Sequence, residues 1–197
     1  MAYIGMRYLV AAPVTTYTEG STITYGNGFV IGPAAAADLT YIVNDNPDSG
    51  DDVELNNDNG VNGYNGTVDS NYIEDSAIAD LLGWEKIGTT DIEYEQTDQM
   101  PPKYGWGFMR VLVKPNSNTP YYECKWHHMA QFTQQKITGN TKKRQVEWNH
   151  PQLNVNGIGA YLDNTGKARW FRHKTFSSFA DAKAWLNGKA NISASTT

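Results

Sequence analysis

The side chains that most often do chemistry in proteins occur here without the neighbours that such chemistry needs. Cys124 is the single cysteine and lies in no nucleophile motif, so neither an intrachain disulfide nor thiol catalysis is expected. His127 and His128 are adjacent, and adjacent strand residues point to opposite faces, so the two cannot share one metal ion. Each is expected to be a hydrogen-bonded histidine in a sheet. Gly26 and Gly28 lack the third glycine and the helix of a phosphate-binding loop.

No catalytic, metal-binding or cofactor-binding residue is therefore predicted, but two sugar-related functions have some support. Carboxylates are abundant enough for the acid pair of a glycosidase, and four tryptophans could stack on sugar rings. Aromatic residues in alternating strands more often belong to a core or a sheet surface, so an enzyme is not expected. A carbohydrate-binding β-sandwich module is the alternative from another functional class. The four tryptophans are Trp106, Trp126, Trp148 and Trp170.

Length and composition limit the class of protein. With 197 residues the chain can bury a core without disulfides, and a lone cysteine is typical of a protein made in a reducing cytoplasm. No run reaches the roughly 18 to 20 apolar residues of a membrane-spanning helix, so we expect a soluble protein without a membrane partner. Thr, Asn, Gly, Tyr and Trp are plentiful, which favours strands and turns over helices. The expected class is mostly β.

Charge is divided unevenly between the two halves of the chain. Residues 1–100 hold 17 acidic side chains against two basic ones, and residues 101–197 hold 14 basic side chains against four acidic ones, so the halves carry −15 and +10. An acidic patch on one copy can steer onto a basic patch on the next, which favours self-assembly. The alternative is that the halves pair within one compact domain. A net charge of −5 with dispersed Lys and Arg does not favour nucleic acid as a bound partner.

Alternation of apolar and polar residues predicts a series of strands and two helices. The strongest strand is 104–113, and a turn joins it to a partner at 121–128, so a hairpin is expected there. Its glycines alternate with aromatic residues, which is typical of close approach by neighbouring groups. A helix at 74–82 should end at Gly83, and another at 179–186 should end at Gly188. Further strands are expected at 7–15, 28–35, 37–43, 66–72, 91–95 and 145–149, with two short ones around the turn at 163–166.

Residues 44–63 have a different composition, rich in Asn, Asp, Gly and Ser with almost no apolar side chains. Such a segment cannot bury enough surface to fold by itself. It is either an arm that becomes ordered against a neighbour or a loop without a partner. The acidic positions do not match the calcium-loop consensus, because Pro47 or Ser49 falls at a ligand position, so calcium binding is not expected.

Several segments, taken in order, resemble the major tail proteins (tail tube proteins) of long non-contractile-tailed bacteriophages, the phi13-type family. The resemblance is centred on residues 100–108, MPPKYGWGF, and covers nearly the whole chain. It depends on order and spacing together. The other matching segments are IGMRYLVA at 4–11, DDVE at 51–54, IADLLG at 78–83, YECKW at 122–126, Phe132, EW at 147–148 and AWL at 184–186.

The resemblance implies a β-sandwich/tail-tube fold with one flanking helix, a long extended arm and a short C-terminal helix. A single tail-tube domain would span residues 1–190, with a flexible inter-subunit arm at 44–63 and a frayed tail at 191–197. Six copies would form a ring whose inner sheets close into a barrel, and the rings would stack into the tail tube of the virion, made in the host cytoplasm. Partners would be further copies, the tape measure protein, the tail terminator and baseplate proteins. A tail terminator or baseplate ring protein is the alternative within the same virion.

The resemblance also implies a lumen through which DNA passes without specific binding. An acidic lumen repels DNA phosphates, whereas a basic one would bind them. Lumen-facing side chains are therefore expected to be polar with a negative excess: Thr67, Asp69, Asn71, Gln145, Glu147 and Asn149. The acidic arm residues Asp48, Asp51, Asp52 and Glu54 should meet a basic surface on a neighbouring copy. Candidates for that surface are Lys142, Lys143 and Arg144, or Arg169, Arg172 and Lys174.

Overall fold

The computed structural model describes residues 2–43, 47–50, 53–57, 60–88, 93–96, 100–113, 119–134 and 151–193. In these residues the protein is mostly β with two helices, which confirms the predicted fold class. The helices are α1 (Asp75–Leu82) and α2 (Phe179–Ala190). The strands are β1 (Ala2–Thr18), β2 (Thr22–Tyr25), β3 (Phe29–Gly32), β4 (Ala34–Val43), β5 (Pro47–Gly50), β6 (Val53–Asn57), β7 (Val61–Ser70), β8 (Trp84–Ile87), β9 (Glu93–Gln96), β10 (Lys103–Val113), β11 (Pro120–Gln134), β12 (Gln152–Gly157), β13 (Ala160–Tyr161), β14 (Ala168–Arg169) and β15 (Phe171–Phe176).

One large antiparallel sheet forms most of the fold. Its strands follow the order β2, β1, β10, β11, β12, β7 and β4, with β3 also paired to β1 and β15 to β11. Only Pro33 separates β3 from β4, yet β3 pairs with β1, whereas β4 pairs with β7 at the far edge of the sheet and is five strands beyond β1. The sheet therefore turns back on itself and gives two facing layers, as in a β-sandwich. Smaller antiparallel pairs join β5 to β6, β8 to β9 and β13 to β14.

The predicted hairpin at 104–113 and 121–128 is confirmed as β10 and β11. The pairing runs from Lys103 opposite Gln131 to Val113 opposite Pro120. One extra residue of β11 forms a bulge near the end of the hairpin, between the pairs Tyr104–Ala130 and Trp106–His127. A bulge changes which residues of a strand face the core. His127 therefore shares the inner face with Ala130 and Phe132.

Two apolar clusters lie on opposite faces of β1, β10 and β11. The inner cluster fills the space between the layers and contacts α1, whereas the outer cluster lies beneath α2. The central strands are thus buried on both faces, which explains their nearly continuous apolar sequence. The inner cluster includes Leu9, Tyr64, Leu81, Trp106, Phe108, Phe132 and Val155. The outer cluster includes Val10, Met109, Cys124, Trp126, Ala182, Leu186 and Ala190.

The alternating glycines of β10 mark positions of close approach, as predicted. A Cβ at Gly107 would lie 2.6 Å from the carbonyl oxygen of Lys125 and 3.0 Å from Cδ2 of Leu186. A Cβ at Gly105 would lie closer to the Tyr25 and Trp126 rings than van der Waals contact allows. The missing side chain at Gly107 therefore lets α2 approach β10 and lets Leu186 enter the outer cluster.

The two helices differ in how well their ends were predicted. For α1 the prediction is confirmed, because the helix ends at Gly83, whose φ of 72° suits a left-handed glycine. For α2 the predicted end at Gly188 is wrong, because the helix continues to Ala190 and is capped by Asn191. The Asn191 Nδ2 donates to the Tyr25 carbonyl oxygen at 2.6 Å, and Ile192 packs against the outer cluster. These tertiary contacts order residues 191 and 192, which were expected to fray.

The segment predicted as an arm, residues 44–63, includes paired backbone. In its described part, β5 and β6 form a hairpin in which Pro47 lies opposite Asn57 and Gly50 opposite Val53. The next strand, β7, begins at Val61 and so starts inside the predicted arm, five residues before the strand expected at 66–72. A further hairpin, β8 with β9, includes the acidic strand that was expected at 91–95, of which residues 91 and 92 lie outside the described residues.

The close approach at Gly107 leads to a stability prediction. A methyl group in Gly107→Ala must displace Leu186 or the β11 backbone, and overpacking of this kind costs about 1–3 kcal/mol. We expect a lower urea midpoint with an unchanged dependence on urea concentration, measured by fluorescence-detected unfolding.

The matched control is Gly5→Ala in β1, where a Cβ would meet nothing within 4 Å. This variant should keep or slightly raise the stability, because alanine has less conformational freedom in the unfolded chain. Equal destabilisation by both substitutions would show that the α2 contact is not the cause.

Candidate functional site

A polar face extends over four neighbouring strands of the sheet. On β4, β7, β12 and the end of β11, apolar residues point to the inner cluster and alternate with polar residues that are exposed or half-buried. We call the outward polar residues the polar face. They are Asp38 and Thr40; Asn65, Thr67 and Asp69; Gln152, Asn154 and Asn156; and Gln131 and Thr133.

The strand register brings these side chains side by side. Asn154 lies opposite both Thr67 and Thr133, because its strand is between β7 and β11. In the same way, Asn156 lies opposite Asn65 and Gln131. Directly opposite residues in an antiparallel pair project from the same side of the sheet, within about 5.5 Å of one another. The polar face is therefore one continuous surface.

The charge of the polar face is negative. Among its ten side chains, Asp38 and Asp69 are the charged ones, and none is Lys or Arg. The Gln152 Nε2 donates to Asp69 Oδ1 at 2.5 Å, which fixes the orientation of that carboxylate. Lys103 of β10 lies directly opposite Gln131, so a single exposed cation borders the polar face at the end of β11. Away from this border the face offers carboxylates and neutral polar groups but no cation that could bind a phosphate.

The structure brings together part of the predicted lumen set. Thr67 and Asp69 lie on the polar face, whereas Asn71 follows the end of β7, where its backbone N–H donates to the Pro33 carbonyl oxygen at 3.1 Å. Gln145, Glu147 and Asn149 lie outside the described residues. The sequence reasoning missed the polar residues of β12, although Gln152, Asn154 and Asn156 alternate with Leu153 and Val155, which is the signal that could have identified them.

The candidate basic surface is also only partly described. Arg169 already forms an ion pair with Asp163 within its own chain, and the pKa of Asp163 is lowered to about 2 by hydrogen bonds from Thr165 and then from Arg169. Arg172 and Lys174 lie on one face of β15, and the Lys174 Nζ is 5.1 Å from the centre of the Phe176 ring. Lys142, Lys143 and Arg144 lie outside the described residues.

The acidic half of the chain has few partners in the basic half. Of the predicted arm residues, Asp48 is in β5 and Glu54 is in β6, and Asp51 and Asp52 lie outside the described residues. In the described part of the chain, every ion pair joins two residues of the second half: Arg110 with Glu123, Arg169 with Asp163 and His173 with Glu123. The described contacts therefore do not neutralise the first half against the second.

His127 has a different environment from the one predicted. It is 1 % exposed, its ring stacks on Trp106 at 4.7 Å and 11°, and Tyr64 and Phe171 lie beside it. Neither ring nitrogen has a hydrogen-bond partner among the described residues, so the expectation of a hydrogen-bonded histidine is wrong here. Burial, followed by the charge of Lys125, lowers the pKa of His127 to about 3. The ring is therefore neutral and acts as an aromatic core residue.

His128 points to the other side and is also largely buried. The Tyr25 hydroxyl donates to the His128 carbonyl oxygen at 3.0 Å and is 3.5 Å from Nδ1, whereas Nε2 has no partner among the described residues. Burial, followed by Arg172 and Lys189, lowers the pKa of His128 to about 4. Cys124 lies under α2, and burial raises the pKa of its thiol to about 12, so little reactive thiolate is present at neutral pH.

Comparisons with known proteins do not assign a family to this geometry. No protein-family model matches the chain, and no curated protein matches it. Within the described residues, no three His, Cys, Asp or Glu side chains form a group that could hold a metal ion. The same part of the chain contains no helix with the length and apolarity needed to cross a membrane. The function must therefore be argued from the surfaces of the chain.

The two buried histidines predict acid sensitivity. Their folded-state pKa values lie below the ordinary value near 6.5, so the unfolded chain binds more protons as the pH falls below that value. Their contribution to stability is present above about pH 6.5 and is lost as the pH falls toward about 4 for His128 and about 3 for His127, at about 1.4 kcal/mol per pH unit for each histidine. Urea unfolding at a series of pH values measures this dependence.

A substitution distinguishes the effect of His127 on stability from that of the carboxylates, which titrate over the same pH range. His127→Leu should lower the number of protons taken up on unfolding by one, and so reduce the slope of unfolding free energy against pH. This holds whatever the effect of the substitution on stability at pH 7. Met129→Leu changes a buried core residue that does not titrate and should leave the dependence unchanged. An unaltered slope in His127→Leu would mean that the ring gains a proton in the folded protein.

Proposed function

We propose that this chain is the tube-forming protein of a long non-contractile phage tail, in which six-membered rings stack into a conduit for DNA. The polar face is the observation that carries this proposal. It is continuous over four strands and contains two carboxylates and no Lys or Arg among its ten side chains, with Lys103 at its border, and a DNA conduit needs such an excess of negative charge. In the proposed tube this face lines the lumen and acts by repelling phosphates.

The strand edges support assembly from identical copies. Among the described strands, β4 pairs with β7 alone, β15 pairs with β11 alone, and residues 2–8 of β1 pair with β10 alone. An unpaired edge is a template for a strand of another chain, and soluble proteins usually protect it. Pairing between copies would satisfy these edges and close the sheets of neighbouring subunits into one barrel.

Exposed apolar side chains lie beside two of these edges. Tyr3 and Ile4 near the start of β1 are 56 % and 64 % exposed, and Ile42 and Val43 at the end of β4 are 48 % and 47 % exposed. Arg110 holds Tyr3 in place, since its Nη2 donates to the Tyr3 hydroxyl at 3.0 Å and its guanidinium lies 3.9 Å from the ring centre. Apolar groups held at open edges are suited to burial against a second copy.

The alternatives differ in how far assembly continues. A tail terminator or baseplate ring protein should stop at one ring, whereas a carbohydrate-binding module should remain a monomer. Association through repeated acidic and basic surfaces should also weaken as salt rises, because salt screens exposed charges. Each exposed pair contributes only about 0 to 1 kcal/mol, so many pairs must act together. The assembly state over concentration and salt therefore distinguishes the three functions.

We expect the purified chain to form hollow filaments of stacked rings in negative-stain electron microscopy at high concentration. Ile4→Lys and Ile42→Lys should each prevent ring closure, because they place a charge at an apolar sheet edge that must be buried. At a concentration at which the parent chain is unassembled, thermal unfolding of the variants should match that of the parent, since both side chains are exposed. Filaments of normal length in both variants would contradict the proposed edges, and a dispersed monomer at all concentrations would favour the binding module.

The lumen assignment predicts a change in DNA retention. Asp38→Lys combined with Asp69→Lys should leave the filaments intact but make the polar face bind phosphates, with an affinity that falls as salt rises. The measurement is cosedimentation of filaments with a short linear duplex, below the persistence length of DNA, and with a closed circular plasmid. Only the linear duplex can enter a lumen, so only the linear duplex should be retained.

The matched control is Glu85→Lys combined with Glu93→Lys. It makes the same change of charge on the β8–β9 hairpin, where both side chains are exposed. This variant should not retain the linear duplex selectively. Equal retention of plasmid and linear duplex by the polar-face variant would place that face on the outside of the filament.

A further inference from the structure

A cavity of about 300 Å³ lies on the outer side of the sheet, next to α2. Strand β2, the start of β15 and the last turn of α2 contribute to its wall. Its lining combines the apolar residues Ile23, Trp126 and Leu162 with basic and polar residues, whereas the cluster beneath the rest of the helix is apolar. The lining residues with polar groups relevant to binding are Ser21, Thr22, Tyr25, His128, Arg172 and Lys189.

The positive charge of this cavity is not neutralised by its own chain. Arg172 from β15 and Lys189 from α2 line it, and neither forms an ion pair within the described residues. Among the described residues that line the cavity, none has a carboxylate. Nearby Arg169 is different, because Asp163 already neutralises it. The pKa of Lys189 is lowered by burial and then by the positive charge of Arg172, so the two cations repel each other across the cavity.

A third polar group in the cavity also lacks a partner. His128 is 5 % exposed, lines the cavity, and has no hydrogen-bond partner for Nε2 among the described residues. The pKa of His128 is lowered by burial and by the charges of Arg172, Lys189 and Arg169, while Tyr25 is the titratable group on its Nδ1 side. A buried unpaired polar group is costly, and an oxygen ligand would satisfy it.

We propose that this cavity is an oxyanion site, which binds a carboxylate, phosphate or sulfate group between Arg172 and Lys189. His128, whose Nε2 has no partner among the described residues, lines the same cavity, as do Ser21 and Thr22. A bound anion removes the repulsion between the two cations and gives each a charge-assisted hydrogen bond. The site is contained in one copy of the chain and does not depend on tube assembly.

Calorimetric titration of the dissolved protein with sulfate at low ionic strength tests the site. We expect saturable binding of one anion per chain. Arg172→Gln and Lys189→Gln should each weaken binding by roughly tenfold or more, the typical effect of losing one charge-assisted hydrogen bond. The matched controls are Lys174→Gln on the same face of β15 and Lys183→Gln on α2, because both remove one charge outside the cavity. Absence of saturable binding, or equal weakening by the controls, overturns the proposal.

The pH dependence supplies an independent readout. Sulfate keeps its charge between pH 4.5 and 7, whereas the bound anion stabilises the imidazolium of His128 and raises its pKa. Sulfate affinity should therefore increase as the pH falls through this range, and the increase should be smaller in His128→Asn, whose amide donates without titrating. An equal increase in both proteins would exclude His128 from the site.

Two sources of the anion can be separated by competition. A synthetic peptide of residues 47–57 contains Asp48, Asp51, Asp52 and Glu54 and represents the acidic segment of a second copy. Displacement of sulfate by this peptide identifies a carboxylate of another chain as the ligand. Displacement by inorganic phosphate but not by the peptide identifies a free anion. If neither displaces sulfate, the proposed oxyanion site is wrong.

Discussion

Burial of both faces of the β10–β11 hairpin is the constraint on which the rest of the structure depends. The inner face places Trp106 against His127 and Tyr64, and the Trp106 Nε1 donates to the Tyr64 hydroxyl at 3.0 Å. The outer face is covered by α2, which reaches the sheet because Gly107 has no side chain. A strand buried on both sides cannot supply a solvent-facing surface. Any surface that acts on partners must therefore come from the end of β11, from strands further along the sheet or from the sheet edges.

Distance from this hairpin determines the character of each surface. On β12, β7 and β4 only the inner face is buried, so the outward positions are free to be polar, and together with the end of β11 they form the polar face. The outer layer over β15 is instead incomplete at the last turn of α2, where the gap exposes Arg172 and Lys189 to one cavity. The sheet thus has an acidic polar surface over one half and a basic cavity beside the other. This distribution follows from which strands α2 covers.

Periodicity predicted the elements that are decided locally. The hairpin and α1 could be predicted because alternation, a turn and a capping glycine all lie within the segments that form them. The continuation of α2 past Gly188 could not, since it depends on the contact of Asn191 with Tyr25, far away in the chain. The neutral state of His127 was missed for the same reason, because a bulge and four aromatic rings from other strands create its environment. For the polar face, Thr67 and Asp69 were predicted, but their neighbours on β12 required the strand register.

The ion pairs of the described residues show whether the acidic first half and the basic second half neutralise each other. If the acidic and basic halves neutralised each other within one copy, the described ion pairs would cross between the halves, yet Arg110 and Arg169 both bind acids of the second half. Local pairing thus uses acidic residues that the basic half itself supplies. Arg172 and Lys189 remain without carboxylates in the described structure, and the acids of the first half remain in excess. In the described residues, charges of opposite sign thus lie on separate surfaces, an arrangement that is suited to pairing between copies.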